Sequence, residues 1–523
     1  MKIFFIYPSL DSQLGFNYGV ACLAAILKQA GHQVAFWQIC EELAPPPTEP
    51  EFLDRLEREN PDLLAFSVVT NQWPYARQLA GWAKKRFSLP LILGGIHALT
   101  EVEAILETGL FDYVFRGECE EAFLDFVNKR QMKLPVTDVG NLAWCENGKI
   151  HLNPMQVLPD ITRLPFKDYE VMDFQKMIDA KKGWVGLMAS RGCPFSCSYC
   201  FNHQMVDAYK HDLQCGFKQL NYIRRHRVGQ MIDEINYLLK NYRNITTFIF
   251  DDDLFTLDAD FVTEFCRAYK KTCSVPFVVN AHVRYFDQTC ARELAAAGCK
   301  IVKFGVESGS PALRKQILNR HMTNQAIIEA IDLVQQYGMH SSVFLIIGFP
   351  HETRENVFET IELMGQSKPG RFRWTYFFPF PGTRAHQISQ EGGFINEQKM
   401  QQAQNFTDQS CLEFDPEFNL FLNKVGKIMP WFVNAFSDLP VADHYRKETD
   451  RILNMDQKEW LDLSQNILEK DKAISEKFST QNLSHYAVKY NRFMGVISDY
   501  FLNERSLDNP DEGKPAKNRK INK

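Results

Sequence analysis

Two stretches of this chain repeat one pattern, in which a short apolar run leads through a polar turn to an amphipathic segment of helical period. In the first, residues 2–8 are an apolar run ending at Pro8. Residues 17–30 follow as a helix with Val20, Leu23, Ala24 and Leu27 on one face, stopped by Gly31. Strands at 32–39, 63–69, 90–96 and 113–116 then alternate with helices at 74–86, 101–106 and 120–127. Such alternation predicts an α/β domain, residues 1–135, built on a doubly wound parallel sheet. Residues 136–178 read as a hairpin turning at Asn147-Gly148, followed by a connection marked by Pro159 and Pro165.

The second block covers residues 179–395. Strands at 184–189, 245–250, 276–283, 300–306, 342–347 and 373–378 alternate with helices at 228–239, 258–271, 288–297, 323–337 and 353–364. Six parallel strands predict a partial β/α barrel, open on one side, with chemistry at the strand C-termini. The alternation is lost over residues 396–507, which read as helices at 418–436, 457–478 and 483–502. The first of these should kink or break at Pro430, and Met429, Trp431, Phe432 and Phe436 would close or roof the barrel. Residues 508–523 are charged and carry Pro and Gly, which predicts disorder.

The bulk numbers narrow the classes. With 523 residues there is more than one core. A hydrophobic share of 45% with 24% charged is that of a soluble globular chain. A net charge of −5 offers no electrostatic argument for nucleic acid. No apolar run reaches about 18 residues, so no membrane span is expected, and the N-terminus turns polar too quickly for a signal peptide. The 13 cysteines are odd in number and scattered, which points to a reducing cytoplasm rather than a disulfide framework.

Three of those cysteines change the picture. Cys193, Cys197 and Cys200 stand at C-x3-C-x2-C just past the apolar run at 184–189. Thiolates suit zinc or iron–sulfur clusters, and both normally take four protein ligands. Here the loop offers three, and His203 is the nearest further candidate. An incompletely ligated metal is where a small molecule can bind and be acted on.

With Tyr199 in the aromatic slot, this stretch resembles the signature of the radical S-adenosylmethionine (radical SAM) superfamily. The resemblance implies a 4Fe–4S cluster on Cys193, Cys197 and Cys200, with S-adenosylmethionine on the open iron and cleaved there to a 5′-deoxyadenosyl radical. Gly305-Val306-Glu307-Ser308-Gly309-Ser310 looks like the superfamily's fourth-strand motif. It implies that Glu307 contacts the amine or ribose of S-adenosylmethionine. Ile346-Ile347-Gly348-Phe349-Pro350 is similar to the fifth strand, whose backbone borders adenine. By the same resemblance Asn280 and Arg284 contact ribose or carboxylate, and Tyr376 flanks adenine. Asp251-Asp252-Asp253 ends a strand, where Asp252 and Asp253 would orient substrate or relay protons, or merely cap the loop. Tyr222, Arg225 and Arg227 form a basic loop, either an anion contact or a surface ion pair.

The first block resembles the cobalamin-binding domain that precedes many radical SAM cores. The matching pieces run from Tyr18-Gly19-Val20-Ala21 to Gly31-His32-Gln33-Val34, then Ser67-Val68-Val69-Thr70, Gly94-Gly95-Ile96-His97 and Arg116-Gly117-Glu118. They imply cofactor contacts from Ser67, Thr70, Gly94, Gly95, His97, Gly117 and Glu118, with His97 beside the nucleotide tail. The D-x-H-x-x-G motif is missing, since Asp11 to Gly15 holds no histidine. Cobalt would therefore lack a histidine from that loop.

Together the resemblances imply a cobalamin-dependent radical SAM methyltransferase acting on a small molecule at an unactivated carbon or a phosphinate. An electron donor such as flavodoxin or ferredoxin is implied as partner. A non-methylating cyclase, oxidase or rearrangement enzyme is the alternative, and a non-catalytic cofactor-binding sensor is a third reading. Cys197→Ala should abolish S-adenosylmethionine cleavage while leaving cobalamin binding intact. Normal 5′-deoxyadenosine output from that variant would refute the cluster assignment.

Overall fold

Ile3 and Phe5 point to one side of the first strand and Phe4 and Ile6 to the other, and all four are buried. Helices must therefore cover both faces of the sheet. The computed structural model describes residues 1–12, 14–402, 406–491 and 495–500. In it β1 (Lys2–Pro8) lies between β2 (Gln33–Ile39) and β3 (Leu63–Ser67). The sheet continues through β4 (Leu91–Gly94) and β5 (Tyr113–Phe115), all parallel. The hairpin of β6 (Leu142–Glu146) and β7 (Lys149–Leu152) extends it antiparallel. Asn147 and Gly148 both take positive φ at its turn, as the sequence leads one to expect. The helix Glu49–Glu59 lies in a stretch given no element from sequence. Its N-terminus is a capping box, in which the Thr48 N–H donates to Glu51 at 2.8 Å.

The second sheet starts with β8 (Trp184–Leu187). Just beyond it β9 (Ser190–Arg191) pairs antiparallel with β10 (Arg224–Arg225). Then β11 (Thr247–Phe250), β12 (Phe277–Ala281), β13 (Cys299–Glu307), β14 (His340–Ile347) and β15 (Arg371–Tyr376) follow β8 in parallel order. These are the six expected parallel strands of a half-barrel. Val302, Phe304, Val343 and Leu345 pack outward under helices in the main core. The alternate residues Asn280, Lys303, Gly305, Glu307, Phe344, Ile346 and Thr375 are only half-buried. Strand alternation turns these inward, so they line an accessible lumen. Trp184, Ile249, Val278 and Ile301 form a separate apolar plug beneath it.

The open edge at β15 corrects one expectation. A helix is expected from the sequence over residues 483–502, but among its described residues β16 (Tyr486–Asn491) and β17 (Gly495–Tyr500) form an antiparallel hairpin, and β17 pairs with β15 at Arg373 and Ile497. An unpaired edge strand exposes a row of backbone donors and acceptors, and the hairpin covers it. Residues 457–478 are likewise two helices, Gln457–Ser464 and Ile467–Thr480, and a further helix spans Ala442–Leu453. Residues 508–523 lie outside the described residues. No helix among the described residues is long and apolar enough to cross a membrane.

The helix Pro416–Ala435 roofs this side and is kinked at Ile428, two residues before Pro430. Pro430 has no N–H to give the Gly426 carbonyl. The Trp374 indole N–H donates to that carbonyl instead, at 2.9 Å, and the Tyr376 hydroxyl donates to the Leu422 carbonyl at 3.0 Å. Alternate residues of β15 thus bind two carbonyls of the kinked helix, one of them the carbonyl that Pro430 leaves free. Met429, Trp431 and Phe432 are buried below the roof, whereas Phe436 is 43% exposed. Trp374→Phe should strand the Gly426 carbonyl in the interior and cost about 1–3 kcal/mol of stability. Urea denaturation checks this, with the cofactor spectra unchanged.

Candidate functional site

The C-terminal edges of the two sheets face each other across a cavity of about 360 Å³. Ser67, Gly94, Gly95 and Gly117 line it from the first domain, and Met188, Asp251 and Asp253 from the barrel. Gly95 has φ +94°, and a Cβ there would lie 2.6 Å from the Val68 carbonyl oxygen. Only glycine allows β4 to turn so closely under the cavity floor. The Ser67 hydroxyl accepts from Asn17 Nδ2 at 3.2 Å. Tyr18 crosses from the first domain and donates to Asp251 at 2.8 Å.

Glu118 does not offer a free carboxylate to this cavity. Arg191 donates to Glu118 at 2.5 Å and to Glu120 at 2.6 Å, while Arg224 donates to Glu118 at 3.0 Å. Burial alone would raise the Glu118 pKa, but the two guanidinium groups outweigh it and hold it below the ordinary carboxylate value. The β9–β10 pairing sets Arg191 opposite Arg224. Arg116 adds an ion pair to Asp212 at 2.8 Å. The chain is thus latched to the first domain immediately before the cysteine loop.

Asp252 is buried and shapes the entry to that loop. Its carboxylate accepts the Ala189 N–H at 2.9 Å and the Ser190 hydroxyl. Burial pushes its pKa up to about 6 despite those bonds. It holds backbone and faces no ligand space, whereas Asp253 lines the cavity. Cys197 is buried, and Cys193 and Cys200 are partly so. Arg320 donates to Cys197 Sγ at 3.4 Å, and the Asn202 N–H to Cys200 Sγ at 3.5 Å. Phe195, inside the loop, stacks on His282 at 4.3 Å. Burial first, then nearby Asp253 and the other thiols, pushes Cys193 up to about 12. Metal binding there must displace protons. Three thiols on one loop, with N–H donors to the sulfurs of Cys197 and Cys200, suit a cluster that takes a thiolate at each of three corners.

Glu307 ends β13 at φ +67°, where the register against β14 slips between Gly305 and Glu307. Its carboxylate folds over Gly305, where an added Cβ would lie 2.5 Å from Oε1. Burial raises its pKa, and Arg320 and the Tyr199 hydroxyl partly restore it. Tyr199 and Ile346 share one apolar cluster. The Gly348 and Phe349 N–H groups both donate to Glu352, whose pKa burial pushes up to about 8. Asn280 faces the lumen and donates to the Asp252 carbonyl at 2.9 Å.

Other residues singled out from sequence sit elsewhere. The Tyr376 hydroxyl is engaged with the roof helix. Arg284 is exposed on a turn. Arg225 lies over Phe261 at 4.2 Å and Arg227 starts the helix Val228–Asn241, so neither reaches the cavity, whereas Tyr222 lines it. His97 does not line the cavity either. It is buried and packs on Trp73 at 5.0 Å, and burial pulls its pKa down to about 4. Neither His97 nitrogen, nor the buried Thr70 hydroxyl, has a hydrogen-bond partner among the described residues. Arg191, Arg224, Arg320 and Glu352 were not singled out. Arg191 and Arg224 lie on two-residue strands and Arg320 and Glu352 in loops, where no periodicity marks them.

Residues 187–364 match the radical SAM superfamily and residues 12–127 match the B12 binding domain. The chain carries both domains, and with them the 4Fe–4S cluster, S-adenosylmethionine and cobalamin as cofactors. It is 27% identical to an uncharacterised methyltransferase of Pyrococcus horikoshii, over 73% of this chain and 82% of that one. It is 24% identical to the anaerobic magnesium-protoporphyrin IX monomethyl ester cyclase of Rubrivivax gelatinosus, over 73% and 68%. The fold is similar to that of the radical S-adenosylmethionine methyltransferase TsrM from Kitasatospora setae, solved with cobalamin and a 4Fe–4S cluster bound. The TM-score is 0.58 at 15% identity, covering 74% of this chain and 75% of that one.

The raised pKa of Asp252 carries a sign. The carboxyl ionises near 3.8 when unfolded and near 6 when folded, so its contribution is present below the lower value and lost as pH rises through the upper one. Asp252→Asn removes this dependence. The stability of the wild-type apoprotein relative to the variant should fall by on the order of 2 kcal/mol from pH 4 to pH 7. Urea midpoints across that range measure it.

Proposed function

We propose that this chain, a B12 binding domain set face to face with a radical SAM domain, moves a methyl group from cobalamin to an unactivated carbon or a phosphinate. The observation that carries the reading is the cavity between the two strand-end faces, with the glycine floor on one wall and the barrel mouth on the other. Bound there, the cluster and S-adenosylmethionine supply a 5′-deoxyadenosyl radical, and cobalamin holds the methyl group. An sp3 carbon is too weak a nucleophile to attack a sulfonium, which is why both are needed.

In this reading Cys193, Cys197 and Cys200 ligate the cluster, and Arg320 steadies the Cys197 thiolate. Glu307 receives the ammonium or ribose of S-adenosylmethionine, where a carboxylate is a strong acceptor. Asn280, Ile346 and Gly348 border the adenosyl group, with Glu352 holding the Gly348–Phe349 backbone in place. Ser67, Gly94, Gly95 and Gly117 bear on the corrin side. The unpartnered polar atoms of Thr70 and His97 suit the nucleotide tail. Glu118 serves as the domain latch, and Asp252 positions the cysteine loop. A flavodoxin or ferredoxin supplies electrons in the cytoplasm.

Similarity to the ester cyclase supports a second reading, radical chemistry without methyl transfer. Product analysis separates the two in reconstituted protein given S-adenosylmethionine and dithionite. S-adenosylhomocysteine together with 5′-deoxyadenosine is expected. 5′-Deoxyadenosine alone, with cobalamin left unmethylated, would favour the second reading.

A further inference from the structure

The lumen of the half-barrel carries one polar row at a single level. Asn280 pairs with Lys303, Lys303 with Ser342, and Ser342 with Arg371. Phe250 pairs with Val279 on β12, which sets Asp251 beside Asn280 one residue on. Paired positions on neighbouring strands point to the same side. The row therefore faces inward together, directly above the plug of Ile249, Val278 and Ile301.

Most of this row has partners. Asp251 accepts from Tyr18, Asn280 donates to Asp252, and Ser342 accepts from Arg371 at 3.2 Å. Lys303 stands apart, because its ammonium makes no hydrogen bond or ion pair among the described residues. Val302 and Phe304 on either side are fully buried. The exposure left to Lys303 on this central strand therefore opens into the lumen. Burial, followed by Arg373, Arg371 and Lys181, lowers its pKa to about 7, and Asp251 opposes them. A cation confined among cations is a costly arrangement that an incoming anion relieves. The inter-domain cavity reaches the row at Asp251, the neighbour of Asn280. Lys303 precedes Glu307 by four residues, about 13 Å along a strand. That is too deep to serve a group held beside Glu307.

We propose that Lys303 anchors an oxyanion of the substrate, a carboxylate or a phosphoryl group, in the barrel lumen between Asn280 and Ser342. This rests on the reading of the cavity as the substrate site and narrows the substrate class to anions. The test uses holoprotein saturated with S-adenosylmethionine and two probes, methylphosphonate and acetate, followed by NMR line broadening. At least one probe should broaden with wild type. Lys303→Met should weaken that binding by about tenfold or more while Lys303→Arg largely keeps it, with cluster and cobalamin spectra unchanged in both. The probe bound more tightly identifies the oxyanion as phosphoryl or carboxylate. Lys303→Gln replaces Lys303→Met if the latter does not take up its cofactors. Equal broadening in wild type and the uncharged variant, or none with either probe in wild type, overturns the proposal. Neither readout needs methyl transfer, so failure of the methyltransferase reading would show separately, as missing S-adenosylhomocysteine.

Discussion

The buried carboxylate of Glu118, shared by Arg191 and Arg224, is the contact on which the rest of the site depends. Its two guanidinium partners come from the barrel domain and Glu118 from the first sheet's edge. A buried ion cluster adds little net stability compared with apolar packing, yet losing one partner leaves an uncompensated charge and costs about 3–5 kcal/mol. That asymmetry makes it a register device. Arg191 is two residues before Cys193, so the contact that docks the domains also sets where the cysteine loop begins. Apolar packing also ties the first domain to the connection, as in the Phe16–Tyr169 stack at 4.9 Å, but such packing tolerates sliding. Directional ion pairs do not.

The half-barrel poses a complementary problem. A closed barrel has no unpaired strand edges, whereas a half-barrel leaves two. Here β8 and β15 bound an open sheet. The β16–β17 hairpin covers the β15 side, and the kinked helix Pro416–Ala435 lies over it. The kink is stabilised because Trp374 of β15 donates to the carbonyl that Pro430 leaves free, with Tyr376 bound one turn earlier. Tyr376 shows how one strand residue can serve the roof when its neighbours serve the lumen.

Burial favours the neutral form throughout, so it raises carboxylate pKa values and lowers those of histidine and lysine. At Asp252 and Glu352 it raises the pKa of carboxylates whose work is to hold backbone N–H groups around the cysteine loop and the Gly348 turn. At His97 and Lys303 it favours the neutral form of groups that have no partner within the described protein. The first kind finishes the scaffold. The second kind leaves hydrogen-bonding capacity for something the chain itself does not supply.

Periodicity and spacing in the sequence determined both sheets, the six-strand count, the hairpin at Asn147-Gly148 and the three thiols, because these depend on near neighbours along the chain. They did not determine that Tyr486–Asn491 and Gly495–Tyr500 pair as strands. That outcome is imposed by an unpaired edge more than 100 residues earlier. Nor did they separate Glu118 or Tyr376, whose side chains are taken up by distant arginines and a distant helix, from residues left open to a ligand. Along the chain Lys303 is one polar position in a strand, and only register sets it in a row with Asn280 and Ser342. Which polar groups are already satisfied is a question about partners brought close only by folding, and the tertiary structure alone could decide it.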